Sequence, residues 1–375
     1  MRILHRNGIT SKGVVQIEKL PEYRLFIHPL DMRELQRDIW SDDPVPAKLT
    51  VNGKKYEVDI VYRGSHIRDF PKKSYQISFY SPSKFRNAKV IHMNAEFKDP
   101  SLLRNKLSFD FFHDIGCLAP KARFVSLKLN GKNEGVYLEL ESVDENFLVN
   151  RKLPEGPIFY AVDGDANFSL MSDLDKEVKK SLLKGYEQTK GTKEDEDGLR
   201  ETIININTIP REEFEETIVH YVNIDAYLRW LAGVICTQNF DGFVHNYALY
   251  QRRQTGQYEI IPWDYDATWG RDVNGEEMDS DYLRIAGFNT LTARILDCKT
   301  FRAQYKKLME NILQNQFTVE YLKPKIQTMH AQIRPYVQLD PYKKECMDHF
   351  DREPDYIYKF IEARSAYIRK ELQFL

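Results

Sequence analysis

Asp241 and Asn246 stand five positions apart in the stretch Gln238-Asn239-Phe240-Asp241-Gly242-Phe243-Val244-His245-Asn246. A carboxylate and a carboxamide at that spacing suit a loop that takes a proton from a hydroxyl and helps to hold a hard cation. The next acids are Asp264 and Asp266, in Trp263-Asp264-Tyr265-Asp266-Ala267-Thr268-Trp269-Gly270. Two short strand-like runs, 247–252 and 258–262, lie between the clusters and are joined by Gln254-Thr255-Gly256. A tight hairpin there returns Asp264 beside Asp241 and Asn246. The chemistry such a set would perform is phosphoryl transfer, which needs charge neutralised on the phosphates and a carboxylate beside the incoming hydroxyl. Asp241 is the candidate base and Asp264 the candidate metal ligand; Asp266 is a second ligand or a loop cap. The ordinary alternative is that Asp and Asn are simply turn residues here.

The elements that must position these residues argue against that alternative. Residues 223–237 are apolar nearly all round, through Tyr227, Leu228, Trp230, Leu231, Val234 and Ile235, the pattern of a buried helix. Buried helix, D-x-x-x-x-N, hairpin, aspartate is the order found in the helical lobe of protein kinases, where the Asn of the catalytic loop holds a magnesium ion.

The first hundred residues read mainly as strands, at Val14-Val15, 23–27, 47–51 and 56–62, with Asn52-Gly53 marking a hairpin. A short helix is expected over 29–40, a polar loop over 63–71, and an alternating strand over 72–79. In that strand Lys73, Tyr75, Ile77 and Phe79 share one face, with Lys72, Ser74, Gln76 and Ser78 on the other. A helix over 100–116 and a hairpin of 123–129 with 136–140 around Asn130-Gly131 follow. Glu141–Asp144 reads as a junction between a β-rich lobe, 1–141, and a mainly helical lobe, 142–375. In the second lobe 189–200 is expected to be a mobile charged loop, 212–221 a helix, and 279 onward helical, ending in an amphipathic helix over 354–375. The fold class is α+β.

Lysine and arginine total 54 against 56 aspartate and glutamate, a net charge of −2, so no nucleic-acid partner is expected. Cys117, Cys236, Cys298 and Cys346 are scattered and read as reduced core thiols. The opening residues lack the apolar core of a signal peptide, and no run reaches the length of a membrane span. Synthesis in a reducing cytoplasm and no membrane partner are the expectations.

Several blocks together give the chain a resemblance to the CotH family, the spore-coat protein kinases. They are Arg63-Gly64-Ser65 with Pro71-Lys72-Lys73-Ser74-Tyr75, then Asp99-Pro100-Ser101-Leu102-Leu103-Arg104-Asn105-Lys106-Leu107, then Gly135 to Glu141, Asn239 to Asn246, and Pro262 to Gly270. The resemblance implies a divergent two-lobed kinase fold, ATP and Mg2+ as cofactors, and phosphorylation of serines in coat proteins of the Ser/Lys-rich CotB and CotG kind. It also implies synthesis in the mother cell and residence in the spore coat. Carried over, Asp241 is the base, Asp264 a metal ligand, and Asn246 fits the second-metal position by its spacing. The glycine-rich loop, V-A-I-K, H-R-D, D-F-G and A-P-E of ordinary protein kinases are absent from the sequence.

On the nucleotide side Lys73 is the expected phosphate lysine, its stem lying along apolar surface. Arg63, Ser65 and Arg68 supply donors from the loop before it. Glu141 lies in the segment between the lobes, where kinases meet the adenine edge. Trp263 is placed at the adenine floor with Tyr160 facing it. Three other readings stay open from sequence: a nucleotide-binding scaffold without catalysis, a nucleotidyl transferase, and a two-metal hydrolase built on Asp241, Asp264 and Asp266.

Overall fold

The computed structural model describes residues 18–81 and 85–375; Val14-Val15 lies outside them. Seven strands close into a barrel: β1 (Glu22–Ile27), β2 (Val45–Val51), β3 (Lys54–Tyr62), β4 (Tyr75–Phe79), β5 (Val90–Asn94), β6 (Ala122–Leu129) and β7 (Lys132–Glu141). Their order is β1-β2-β3-β4-β5-β7-β6, and parallel pairing of β6 with β1, Leu127 opposite Tyr23, shuts the ring. Two hairpins rest on Asn-Gly turns at Asn52-Gly53 and Asn130-Gly131, all four residues at positive φ, as a tight hairpin turn requires. Alternate residues, among them Leu25, Leu49, Ile60, Ile77, Ile91, Met93 and Leu127, fill the barrel with a core of its own. A short helix, α1 (Pro29–Arg37), connects β1 to β2.

α2 (Arg104–Asp114) leaves the barrel between β5 and β6 and joins a second, larger core. That core is built by α3 (Glu145–Asn150), β8 (Ile158–Ala161), β9 (Tyr186–Lys190), α4 (Lys193–Thr208), α5 (Arg211–Ile218), α6 (Ile224–Thr237), β10 (Tyr247–Gln251) and β11 (Tyr258–Pro262), followed by α7 (Thr290–Asp297), α8 (Lys299–Asn315), α9 (Val319–Val337) and α10 (Met347–Glu371). An antiparallel sheet in the order β11-β10-β8-β9 lies within it. The mixed α+β class, strands first and helices later, is as expected.

α6 is the central helix. The Asn223 side chain caps it by accepting from the Ala226 N–H at 3.2 Å. Its faces are buried from Ile224 to Thr237, apart from a few outward positions. Gly233 lets α2 approach, since a Cβ there would stand 2.1 Å from the Phe112 ring.

Three expectations are corrected. Residues 193–200 are the first half of α4, not a loop; the Thr192 hydroxyl and the Asp195 carboxylate form a capping box that turns a charged run into a helix start. β4 begins at Tyr75, so Lys72 and Lys73 precede the strand. Of the four free cysteines only Cys117 and Cys236 are buried, and Cys346 is exposed.

Candidate active site

Gln238 ends α6 in the left-handed conformation, φ 60°, and swings the chain out of the core. Asn239 is 2% exposed and does two things. Its Oδ1 accepts from the Gly242 N–H at 3.1 Å, and its Nδ2 donates to the Asp264 carbonyl at 3.4 Å. Asp241 opens a single 3-10 turn, half-buried, with Oδ2 3.6 Å from His245 Nε2. The hairpin of β10 and β11 then sets Tyr247 opposite Pro262. One step beyond that pair, the Trp263 N–H donates to the Asn246 carbonyl at 3.0 Å. Asn239 and Asn246, at the two ends of the segment that contains Asp241, thus bond to Asp264 and Trp263. Asn246 (φ 59°) and Asp264 (φ 58°) are both left-handed, a backbone state that non-glycine residues adopt rarely and that concentrates at functional sites.

Asp264 and Asp266 share their surroundings with a third acid. Glu96, 6% exposed, comes from the segment after β5. Its Oε1 accepts from Asn105 Nδ2 at 3.1 Å, and Asn105 Oδ1 accepts from the Tyr265 N–H at 3.1 Å. Asn105, on α2, therefore ties Glu96 to the loop between the two aspartates. Burial, then Asp266, Asp99 and Asp264, push the Glu96 carboxyl well above its ordinary range. Burial, then Asp264 and Asp99, raise Asp266 to about 7. Glu96 Oε2 is buried with no hydrogen-bond partner.

A bound cation would relieve the mutual repulsion among these carboxyls and give the Glu96 oxygen a favourable neighbour. Among the described residues no three His, Cys, Asp or Glu side chains form a ready-made metal cage. Magnesium does not need one, because it commonly takes one or two carboxylates and fills its shell with water and phosphate oxygens. Asp264 and Asp266, with Glu96 behind them, fit that requirement.

Arg104 braces this region from beneath. Fully buried, it donates Nη1 to Asp99 Oδ1 at 2.6 Å and Nε to the Thr268 carbonyl at 3.0 Å, and pairs Nη2 with Glu353 Oε2 on α10 at 2.7 Å. This one guanidinium joins the end of the loop that carries Asp264 and Asp266 to both α2 and α10, beside the Asn105 bond to the Tyr265 N–H.

The aromatic side is built around Trp263. The Tyr160 ring meets it edge-on at 5.0 Å, and the Tyr160 hydroxyl accepts from the Val143 N–H at 2.7 Å. His92 meets it edge-on at 5.1 Å. The Arg63 guanidinium stands 5.6 Å from the ring centroid and donates to Asn94 Oδ1. Ser65 is exposed, at the head of the turn 66–69. Lys73 Nζ donates to the Arg68 carbonyl and sits 5.8 Å from the Tyr62 ring. Glu141 is ion-paired with Arg151 at 2.7 Å and accepts from the Lys121 N–H at 2.9 Å.

Arg63 and Tyr160 therefore both adjoin Trp263, which leads directly into Asp264 and Asp266, while Asp241 and Asn246 lie on the segment bonded to it. Lys73 and the Glu141 side chain end on protein partners of their own. Of the adjacent pair Lys72 and Lys73, Lys72 is the buried one: it bonds the Val136 carbonyl at 2.5 Å and Asp340 Oδ2 at 2.9 Å. Sequence reading missed Asn239, Asn105, His92 and this pair, although Asn239 and Asn105 lie in the blocks singled out above. Two surface cavities of about 410 Å³ lie elsewhere, one beside Arg24 and Lys128, the other beside Phe288 and the C-terminal Leu375.

Comparison with known proteins bears on this arrangement. The family model described as CotH kinase protein matches residues 60–368. The chain is 61% identical over 356 residues to the inner spore coat protein H of Bacillus subtilis strain 168, covering 95% of this chain and 98% of that protein. It is 29% identical over 301 residues to the inner spore coat protein H-like protein of the same strain, covering 80% and 86%. Among solved structures, the Helicobacter pylori proinflammatory kinase CtkA aligns at 10% identity over 80% of this chain and 93% of that one. Its TM-score of 0.36 is too low to establish a shared fold.

Proposed function

The chain belongs to the CotH kinase protein family, and from that premise and the site geometry we propose that it transfers the γ-phosphoryl group of ATP to serine residues of spore coat proteins. The observation that carries the reading is the hydrogen-bonded closure of the Asn239–Asn246 segment onto Trp263 and Asp264, with Asp266 and Glu96 sharing the same surroundings. The substrates in this reading are coat proteins of the Ser/Lys-rich CotB and CotG kind. The protein acts in spore coat assembly after synthesis in the mother cell. Its two lobes, 1–141 and 142–375, form a divergent kinase fold with the nucleotide between them.

Asp241 takes the proton of the serine hydroxyl. The serine Oγ–P bond forms as the bond from phosphorus to the β,γ-bridging oxygen breaks, and ADP leaves with the electron pair. Asp264 and Asp266, with Asn246, would hold magnesium, which supplies charge neutralisation to the phosphates. Arg63 and Ser65 face the phosphates from their loop. Lys73 is the phosphate lysine of this reading and exchanges the Arg68 carbonyl for a phosphate oxygen. The adenine lies against Trp263 and Tyr160, near the Glu141 backbone.

Asp241→Asn and Asp264→Asn should each abolish transfer of label from γ-labelled ATP to a coat-protein substrate, with circular dichroism unchanged. Asp264→Asn should also weaken magnesium-dependent nucleotide binding, which Asp241→Asn should spare. Full transfer by either variant sinks the assignment, and label arriving only from α-labelled ATP replaces it with nucleotidyl transfer.

A further inference from the structure

β5 alternates cleanly between two environments. Ile91 and Met93 point into the barrel core, while His92 and Asn94 point outward. Outward, His92 lies between Gln76 of β4 and Leu140 of β7, and its ring faces the Trp263 indole at 5.1 Å. The residue is 7% exposed, yet neither ring nitrogen has a hydrogen-bond partner.

Two unmet polar atoms on one buried side chain are unusual, because native interiors pair nearly all such groups and each unmet one is destabilising. Leucine or phenylalanine would fill the position more cheaply if packing were its only role. Burial and the nearby Arg63 hold the His92 pKa well below its ordinary value, so the ring is neutral. A neutral imidazole offers one N–H donor and one bare acceptor nitrogen. No protein group fixes which nitrogen carries the proton. The Arg63 guanidinium over the neighbouring indole shows that this aromatic corner is not closed by apolar packing.

We propose that His92 reads the nucleobase, hydrogen-bonding the polar edge of a purine seated beside Trp263 and Tyr160. The assignment rests on the ATP reading above and adds to it a residue and a specificity. A ring free to choose its tautomer accepts from the adenine amino group or donates to the guanine oxo group. The site therefore serves both purine triphosphates.

The test is calorimetric binding to the full chain with magnesium, using ATP, GTP and inorganic tripolyphosphate. The wild type should bind ATP and GTP with similar affinity. His92→Leu should weaken both about tenfold, the equivalent of one hydrogen bond of about 1.4 kcal/mol, and leave tripolyphosphate binding unchanged. His92→Gln, which keeps a donor and an acceptor, should restore most of the purine affinity. The melting temperature of His92→Leu should equal or exceed that of the wild type, which separates lost recognition from lost folding. Unaltered ATP affinity in the leucine variant, an equal loss of tripolyphosphate binding, or a wild type that takes only one purine overturns the assignment. A wild type that binds neither ATP nor tripolyphosphate defeats the nucleotide reading itself, and this one with it.

Discussion

Replacing Asp266 by asparagine should stabilise the metal-free protein at alkaline pH. The Asp266 carboxyl ionises near 7 instead of 3.8, first because of burial and then because Asp264 and Asp99 are close. Between those values the folded chain keeps a proton that the unfolded chain releases. The resulting penalty is absent at low pH, grows as pH rises through the interval, and is complete above about 7. At about 1.4 kcal/mol per pH unit, the interval sets a ceiling of about 4 kcal/mol. Asp266 keeps some contact with solvent, and Glu96 carries part of the same repulsion. We therefore expect a gain of about 1–3 kcal/mol for Asp266→Asn at pH 8, shrinking to less than about 1 kcal/mol near pH 4.5. Urea unfolding in EDTA at the two pH values measures this directly. Excess magnesium should stabilise the wild type more than the variant, and more at pH 8 than near pH 5. A variant no more stable than wild type at pH 8 would show that the acids do not repel one another, and would remove the electrostatic case for a cation there.

Other perturbations probe the supports. Arg104→Met leaves the buried Asp99 carboxylate without its guanidinium and leaves Glu353 to Arg271 alone, and should lower unfolding free energy by about 3–5 kcal/mol, read by urea denaturation; a loss below about 1 kcal/mol contradicts the bracing role. Lys72→Met should have a similar effect, because it leaves Asp340 buried without its cation. Adding Asp340→Leu to that variant should recover most of the stability, and a double variant as weak as the sum of the single ones would mean that the two side chains act independently.

Much of the scaffold was legible because it rests on local rules. The Asn-Gly turns announce two hairpins, the all-round apolar run announces α6, and the short strands after Asn246 bring Asp264 back. The charges of Lys193–Asp197 give α4 the composition of a surface loop, whereas Thr192 and Asp195, three residues apart, carry the helix-start signal. The two lysines show a different limit. The alternating pattern extends back to Lys72, but the strand begins three residues later, and the ion-pair partner of Lys72 is Asp340, 268 residues away. Asn105 and Tyr265 meet across 160 residues, and no periodicity carries that information. His92 sits in an ordinary alternating strand, and only the closed structure reveals that its nitrogens face nothing.

The distance between Lys72 and Asp340 has a bearing on how the chain is made. At translation speeds of about 5–20 residues per second, Lys72 leaves the ribosome some 10–50 s before its counter-ion exists. Until then the nascent chain keeps that ammonium hydrated, so the end of the barrel next to Val136 waits, half-assembled, for the arrival of the α9–α10 connection. A nascent chain halted before residue 340 should be digested by protease at Pro71–Ser74, and the finished protein, in which Lys72 and Ser74 are buried, should resist.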